Sequence, residues 1–350
     1  MTTFAQSLAP RAWSPGRHAV RCVGTVQETQ DVRTFCFVAE QPCLFLFKPG
    51  QFVTLELVID GETLMRSYTI SSSPTLPTTF SVTIKRVPGG KVSNWLHDQF
   101  GAGQGLIVHG PAGRFHLTQR PADKVLLLSG GVGITPLMSM ARWLCDTHSG
   151  ADTVFVHSAR TPGDIIYHRE LRHMAARNPA FQLHLVCERQ GSGEAWAGYR
   201  GYLGRAMLEL MAADFLDREI FCCGPAPYMA AVRHLLDEAG FDRRRYHEEA
   251  FVPLAEAPQP TTEQAHVVHF ARSDKRIRIA PGETVHAAAG RAGVALPKAC
   301  GMGICGTCRV LKQAGEVRIA ANGGISEEEL AEGYILSCCS EPLGDVVIDA

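Results

Sequence analysis

The sequence predicts a multidomain chain: an antiparallel β-barrel, then an α/β domain built on a parallel sheet, then a small α+β domain that holds a metal cluster. Three observations carry this. From about His18 to Leu117 short β-rich runs alternate with turn clusters, and from about Lys124 to Glu249 apolar runs alternate with helical stretches. Near the carboxyl end Cys300, Cys305, Cys308 and Cys338 follow a metal-ligand spacing.

In the first region the runs are RCVGTV, RTFCFV, QFVTLELVI, RSYTI, FSVTIKRV and LIVHG, broken by KPGQ, IDGE, SSPTLP and GAGQG. β-Branched and aromatic residues suit a pleated surface and Gly and Pro punctuate it, so six antiparallel strands are expected. The second region carries KVLLLS, TVFVHSA, FQLHLVCE and EIFCCG as strands between helical stretches such as PLMSMARWLCD and PAPYMAAVRHLLDEAG. Such alternation builds a parallel sheet of the nucleotide-binding kind. VPLAEAPQPTTEQA lacks periodicity and reads as a linker. The expected organisation is an N-terminal extension at 1–17, the barrel at 18–120, the nucleotide domain at 121–250, a linker at 251–265 and the cluster domain at 266–350.

A formal net charge of −1 over 350 residues gives no electrostatic pull toward nucleic acid or anionic membrane. The start MTTFAQSLAPRAWSPGRHAV lacks the apolar core of a secretion signal, and no apolar run approaches the roughly 18 residues of a membrane span, so a cytoplasmic protein is expected. In that reducing setting the 12 cysteines argue against a disulfide framework.

C-x4-C-x2-C followed, after 29 intervening residues, by a further Cys is the ligand spacing of a plant-type [2Fe-2S] centre. KACGMGICGTCRV places Gly301, Gly303 and Gly306 between the thiolates, where a loop wrapped round two irons needs residues without Cβ. A zinc knot would carry two close ligand pairs, and Cys305/Cys308 is a single one. Cys339 sits beside Cys338 and competes with it as fourth ligand.

Two segments of the barrel suit a flavin dinucleotide. In Arg66-Ser67-Tyr68-Thr69 a guanidinium fork can pair with pyrophosphate and a Tyr ring can lie on an isoalloxazine, while Gly90-Lys91-Val92-Ser93 opens the helix VSNWLHDQF with free N–H groups for a second anion. Directly after KVLLLS, Gly130-Gly131-Val132-Gly133-Ile134-Thr135-Pro136 lets a dinucleotide backbone come close; Thr135 is placed to cap the following helix and Pro136 fits its first turn. Cys223-Gly224-Pro225 puts a thiol at the carboxyl edge of the sheet, where a nicotinamide ring would lie.

RSYT, GKVS, GGVGITP and CCGP, in this order across roughly residues 18 to 250, resemble the ferredoxin-NADP+ reductase superfamily. The resemblance implies a flavin reductase in which NAD(P)H delivers hydride to flavin N5, with Tyr68 near the ring, Thr69 near N5 or the ribityl chain, and Cys223 near the nicotinamide. It also implies flavin contacts at Ser67, Ile84, Lys85, Lys91, Val92 and Thr135, nucleotide contacts at Gly131, Gly133, Thr135, Pro136, Gly224 and Pro225, and Arg160 on the adenosine side. The chain end has no aromatic to cover the flavin, and Phe251 in YHEEAF is the candidate cover, with a packed linker residue as its alternative. With KACGMGICGTC and EGYILSCCS added, the order flavin, nucleotide, [2Fe-2S] resembles the reductase components of Rieske-type oxygenases and of hybrid cluster protein, and implies a β-grasp ferredoxin domain.

A hydride brings two electrons and a [2Fe-2S] cluster accepts one, so a flavin between them is needed. The expected flow is NAD(P)H to FAD to the cluster; the resemblance implies onward delivery to a separate Rieske-type terminal oxygenase that demethylates glycine betaine, with a carnitine or proline betaine oxygenase or hybrid cluster protein as the alternative partner. FAD is preferred to FMN for the second anion site at the Ser93 helix start, and NADH to NADPH by the resemblance, with Arg160, Arg189 and Arg200 open as contacts to the adenosine 2′ position. A self-contained oxygenase would need iron, and Asp164, His168 and His173 are spaced by four and five residues, which does not put them on one helical face. A non-enzymatic electron carrier would not need the hydride-side motifs. Arg243-Arg244-Arg245 reads as a solvated run and Ser326 to Glu329 as a capping box.

Overall fold

The structure, a computed structural model, describes residues 11–350 apart from 14–15, 120–121, 192–194, 252–265, 281, 299–300, 302, 304–305, 321–323 and 326. Most of the expected N-terminal extension, the linker after Phe251, and Ser326 of the expected capping box lie outside the described residues. The chain falls into two compact units, residues 1–111 with 115–251, and residues 112–114 with 252–350.

The first unit contains both the barrel and the parallel sheet. Strands β1 (Gly16–Thr29), β2 (Val32–Ala39), β3 (Phe52–Ile59), β4 (Glu62–Thr69), β5 (Phe80–Lys85) and β6 (Gly105–Ala112) follow the six β-rich runs and join in the order β4-β3-β6-β1-β2-β5. An antiparallel bridge from Ile70, just past β4, to Val82 in β5 connects the two outer strands and closes the barrel. Phe35, Phe37, Val53, Leu55, Phe80 and Val82 fill its core, and helix α1 (Lys91–Gln99) contributes Val92 and Leu96.

Six parallel strands follow among the described residues: β7 (Lys124–Gly130), β8 (Asp152–Ala159), β9 (Phe181–Cys187), β10 (Tyr199–Arg200), β11 (Glu219–Cys223) and β12 (Tyr246–Glu249), in the order β10-β9-β8-β7-β11-β12. Helices α2 (Ile134–Asp146) and α3 (His168–Arg177) pack on one face, and α4 (Arg205–Met211) and α5 (Ala226–Glu238) on the other. The chain runs outward from β7 to β10 and then returns to the far side of β7, so the strand order reverses between β7 and β11 and opens a crevice at their carboxyl ends. Four strands were expected here. β10 has two residues, and β12 reads Tyr-His-Glu-Glu, a polar edge strand that owes its extension to pairing with β11 rather than to apolar patterning. At the opposite end Arg218 is nearly buried, its guanidinium held by Asp214 at 2.6 Å, the Asp152 carboxylate at 2.8 Å and the Asp152 carbonyl at 2.9 Å.

In the second unit β13 (His266–Phe270) and β14 (Lys275–Ile279) form a hairpin, followed by α6 (Val285–Arg291), β15 (Arg309–Ala314), β16 (Val317–Ile319), β17 (Tyr334–Leu336), β18 (Ser340–Pro342) and β19 (Val346–Ile348). The main sheet runs β14-β13-β19-β15-β17, with β13 and β19 parallel, while β16 and β18 pair separately. Thr284 caps α6 by accepting from Ala287 N, and Val285, Ala288 and Ala289 bury against Val268, Phe270 and Val346 in a β-grasp arrangement. Among the described residues no helix is long and apolar enough to cross a membrane.

Candidate functional site

Side chains alternate along a strand, so Arg66 and Tyr68 leave one face of β4, and Ser67 and Thr69 leave the other. The Ser67 hydroxyl is tied to Thr54 Oγ1 at 2.8 Å, and Thr69 is buried. Arg66 donates to the Met65 carbonyl, and no carboxylate pairs with it among the described residues, which leaves guanidinium N–H groups for an anion such as pyrophosphate. Tyr68 is half-buried, and desolvation pushes its hydroxyl well above the usual phenol range, so the ring is presented as a neutral surface. Gly90, Lys91, Val92 and Ser93 form the start of α1, but the Ser93 hydroxyl folds back, accepting from Val87 N at 3.1 Å and donating to the Gly90 carbonyl. Its role is to hold the turn, and the free N–H groups of the first helical turn are what remain for an anion. Lys91 is paired with Glu62 at 2.9 Å and Lys85 with Asp31 at 3.2 Å, while the Ile84 carbonyl bonds His97 Nε2.

The crevice between β7 and β11 brings the nucleotide-side residues together. Gly131 adopts a left-handed backbone (φ +54°), and a Cβ there would meet open space. Gly133 lies against the Cys223-Gly224 peptide, and Gly130 against Pro225 and Tyr228, so these glycines permit a close approach of two loops. Residues Gly131 to Gly133 form a 3-10 turn that runs straight into α2, so the helix caps on Gly133. Thr135 therefore falls inside the first turn, where its hydroxyl donates to the Val132 carbonyl, instead of capping the helix; Pro136 sits in that turn as expected. Pro225 precedes α5, and Arg160 is exposed just past β8. Phe251 is 43% exposed.

Register places His157, Ser129, Cys223 and Glu249 side by side on β8, β7, β11 and β12, on one face of the sheet at its carboxyl end. His157 Nδ1 meets Ser129 Oγ at 2.8 Å, and burial lowers this imidazole to a pKa of about 3, so it is neutral. Burial, followed by the nearby Glu249, raises the Cys223 thiol well above its ordinary range, so it remains a protonated, polarizable contact and not a nucleophile. His157 Nε2 and Glu249 Oε2 are closed off from solvent and have no partner among the described residues, and burial raises the Glu249 carboxyl to about 8. Orphaned polar atoms beside a glycine-lined crevice fit a bound pyridine nucleotide that supplies their partners. Glu249 was missed by sequence reasoning; its signal was the acidic pair Glu248-Glu249 ending the last strand of the sheet.

In the second unit Cys308 and Cys338 are both buried, with their sulfurs 3.1 Å apart, close enough to bind one metal ion. Ser337 locks the two ligand-bearing segments: its N–H and its hydroxyl both donate to the Cys308 carbonyl at 3.0 Å. Cys339 turns its thiol to the Leu336 carbonyl. Gly301, Gly303 and Gly306 all have φ near +70°, and a Cβ on Gly306 would lie 2.7 Å from the Gly324 carbonyl oxygen, as a tightly wrapped cluster loop demands. Cys300 and Cys305 lie outside the described residues.

The remaining candidates do not converge. Asp164 closes the turn at Thr161, while His168 and His173 each face the Arg four residues on. Arg243, Arg244 and Arg245 are engaged with Asp237, Asp242 and the Leu216 carbonyl.

Three family profiles match in the same order: an oxidoreductase FAD-binding domain at residues 20–117, an oxidoreductase NAD-binding domain at 127–234, and a 2Fe-2S iron-sulfur cluster binding domain at 268–343. The chain is 64% identical to a glycine betaine monooxygenase reductase subunit of Pseudomonas aeruginosa, covering 99% of each chain. It is 42% identical to a stachydrine N-demethylase reductase subunit of Rhizobium meliloti, covering all of both. A solved phthalate dioxygenase reductase shares the fold, with a TM-score of 0.63 at 21% identity over 96% of this chain and 98% of that one. The chain uses FAD, NADH and a [2Fe-2S] cluster, and it belongs to the family of glycine betaine monooxygenase reductase subunits.

Proposed function

We propose that this chain draws electrons from NADH and delivers them one at a time to a separate Rieske-type terminal oxygenase that demethylates glycine betaine. The near full-length likeness to the Pseudomonas aeruginosa subunit carries this reading. Bound flavin accepts an electron pair as hydride and releases single electrons. In this reading Arg66 and the N–H groups of Gly90 to Ser93 bind the FAD phosphates, Tyr68, Thr69 and Phe251 frame its ring, and Ser67, Ile84, Lys85 and Thr135 line its site. Gly131, Gly133, Thr135, Pro136, Arg160, Gly224 and Pro225 hold the nucleotide, Cys223 keeps water from the nicotinamide, and Cys300, Cys305, Cys308 and Cys338 hold the cluster. The domain limits 18–120, 121–250 and 266–350 and a cytoplasmic location belong to the same reading.

Reconstitution tests it. NADH, this protein and candidate terminal oxygenases are combined with glycine betaine, carnitine or proline betaine, and formaldehyde release is measured. Release above background with the glycine betaine oxygenase is expected; release confined to another oxygenase would overturn the assignment of partner.

A further inference from the structure

We propose that Arg142 and Tyr167 form a positioning clamp that fixes how closely the nicotinamide held in the β7–β11 crevice approaches the flavin held by the barrel. The inference rests on the cofactor placement given above. Helix α2 begins at the glycine turn of the nucleotide crevice, and its later turns face the segment that directly follows RSYT. Ser139 Oγ donates to the Ser72 carbonyl at 2.7 Å, Arg142 donates to the Ser71 carbonyl at 2.5 Å, and Thr75 Oγ1 donates to Asp146 at 2.5 Å. Positions 139, 142 and 146 recur at helical spacing, so one stripe of α2 makes all three contacts.

Arg142, Ser71, Thr83 and Tyr167 close a ring. Arg142 reaches the Ser71 carbonyl; the Ser71 hydroxyl meets Thr83 Oγ1 at 3.0 Å; Thr83 bonds the Tyr167 hydroxyl; and the Arg142 guanidinium lies 4.8 Å from the centre of the Tyr167 ring. Two members come from the barrel and two from the nucleotide-binding half. Glu170 grips Arg142 from behind with two bonds of 2.7 Å, which fixes the plane of the fork. On the barrel side Thr83 also meets Thr34 at 2.8 Å, and Thr34 donates to Glu28 at 2.7 Å.

Tyr167 supplies a second, independent observation. It is buried and holds a left-handed backbone (φ +57°), a conformation unfavourable for a bulky residue that persists only where the surroundings impose it. Apolar packing alone would join the two halves without a charged fork, whereas planar, directional bonds define a distance and an angle. The ring touches both cofactor motifs at their ends: Ser71 is two residues past Thr69, Thr83 adjoins Ile84, and Arg142 rides on the helix that the glycine turn begins. A shift of the ring moves one motif relative to the other.

The test compares wild type with R142M, R142K and Y167F. Stopped-flow reduction of the bound flavin by NADH gives the limiting rate and the nucleotide Kd, deuterated NADH gives the isotope effect, and hydrogen exchange reports amides 71–85. For R142M the limiting rate is expected to fall about 10- to 100-fold, as a small misplacement of reacting atoms does, with Kd changed less than about threefold and FAD content retained. Exchange in 71–85 should rise, the isotope effect should change, and R142K, which keeps the bond to Ser71 but loses the fork, should fall between. Y167F keeps the cation–ring contact and loses one bond of the ring, so a smaller loss of rate is expected from it even if R142M does not fold. A wild-type limiting rate in folded, FAD-loaded Y167F and R142K, or exchange in 71–85 unchanged by them, overturns the clamp. Wild-type flavin that NADH does not reduce would instead overturn the cofactor placement.

Discussion

Gly133 rests directly on the peptide between Cys223 and Gly224: a Cβ at position 133 would lie 2.4 Å from the Cys223 carbonyl oxygen and 2.5 Å from the Gly224 nitrogen. Both atoms are backbone, so neither can rotate away. Gly133→Ala is expected to spread the two loops, costing about 1–3 kcal/mol of stability and weakening NADH binding. Thermal melting with and without NADH checks this, and a variant with wild-type melting and wild-type NADH affinity would contradict it.

Of the adjacent pair Cys338 and Cys339, the Cys338 sulfur faces Cys308, while the Cys339 sulfur faces the Leu336 carbonyl. Cys338→Ser should lose the visible absorbance and the reduced-state paramagnetic signal of the cluster while retaining FAD and NADH-driven ferricyanide reduction. Cys339→Ser should keep all of them. Iron and sulfide analysis of both purified proteins decides the matter.

Glu249 carries a carboxyl raised by burial from 4.5 to about 8. Between the unfolded and folded values the folded chain binds the extra proton, so this group favours folding below about pH 4.5, and its contribution declines as pH rises to about 8 and is level above. Glu249→Gln should therefore gain stability relative to wild type as pH is raised, by on the order of 1–3 kcal/mol between pH 5 and pH 9. Urea midpoints at those two pH values measure it; a parallel pH dependence in the two proteins is the contrary result.

Arg218 has a side chain 4% exposed and binds two carboxylates. Removing it leaves Asp214 with Lys124 and the partly exposed Asp152 carboxylate without its guanidinium, so Arg218→Ala should cost about 1–3 kcal/mol. The site is at the amino end of the sheet, away from the crevice, so the NADH Kd of the folded fraction should stay unchanged. Urea unfolding followed by fluorescence, together with titration by NADH, reads both.

Local patterns made much of the fold legible. Six β-rich runs became six barrel strands, and the strand-helix alternation became a parallel sheet, because both signals arise within a few neighbouring residues. What escaped depended on pairing across the chain. β12 extends because β11 lies beside it, and with β12 went Glu249 and the polar row it completes. Arg142 carries no local signal within PLMSMARWLCD; its partners Glu170 and Ser71 are 28 and 71 residues away. Thr135 was displaced from its expected capping role by a 3-10 turn that the glycines permit but do not announce.

The bridge from Ile70 to Val82 closes the barrel within a stretch already heavily used. Thr69 is the proposed flavin neighbour, Ile70 seals the barrel, and the carbonyls of Ser71 and Ser72 accept from α2. Four successive residues thus serve three tasks, and a substitution in them would register at once in flavin content, in barrel integrity and in the meeting of the two halves. Retuning of this enzyme, natural or engineered, is therefore expected to arise in the side chains that grip the stretch from outside, leaving the stretch itself untouched.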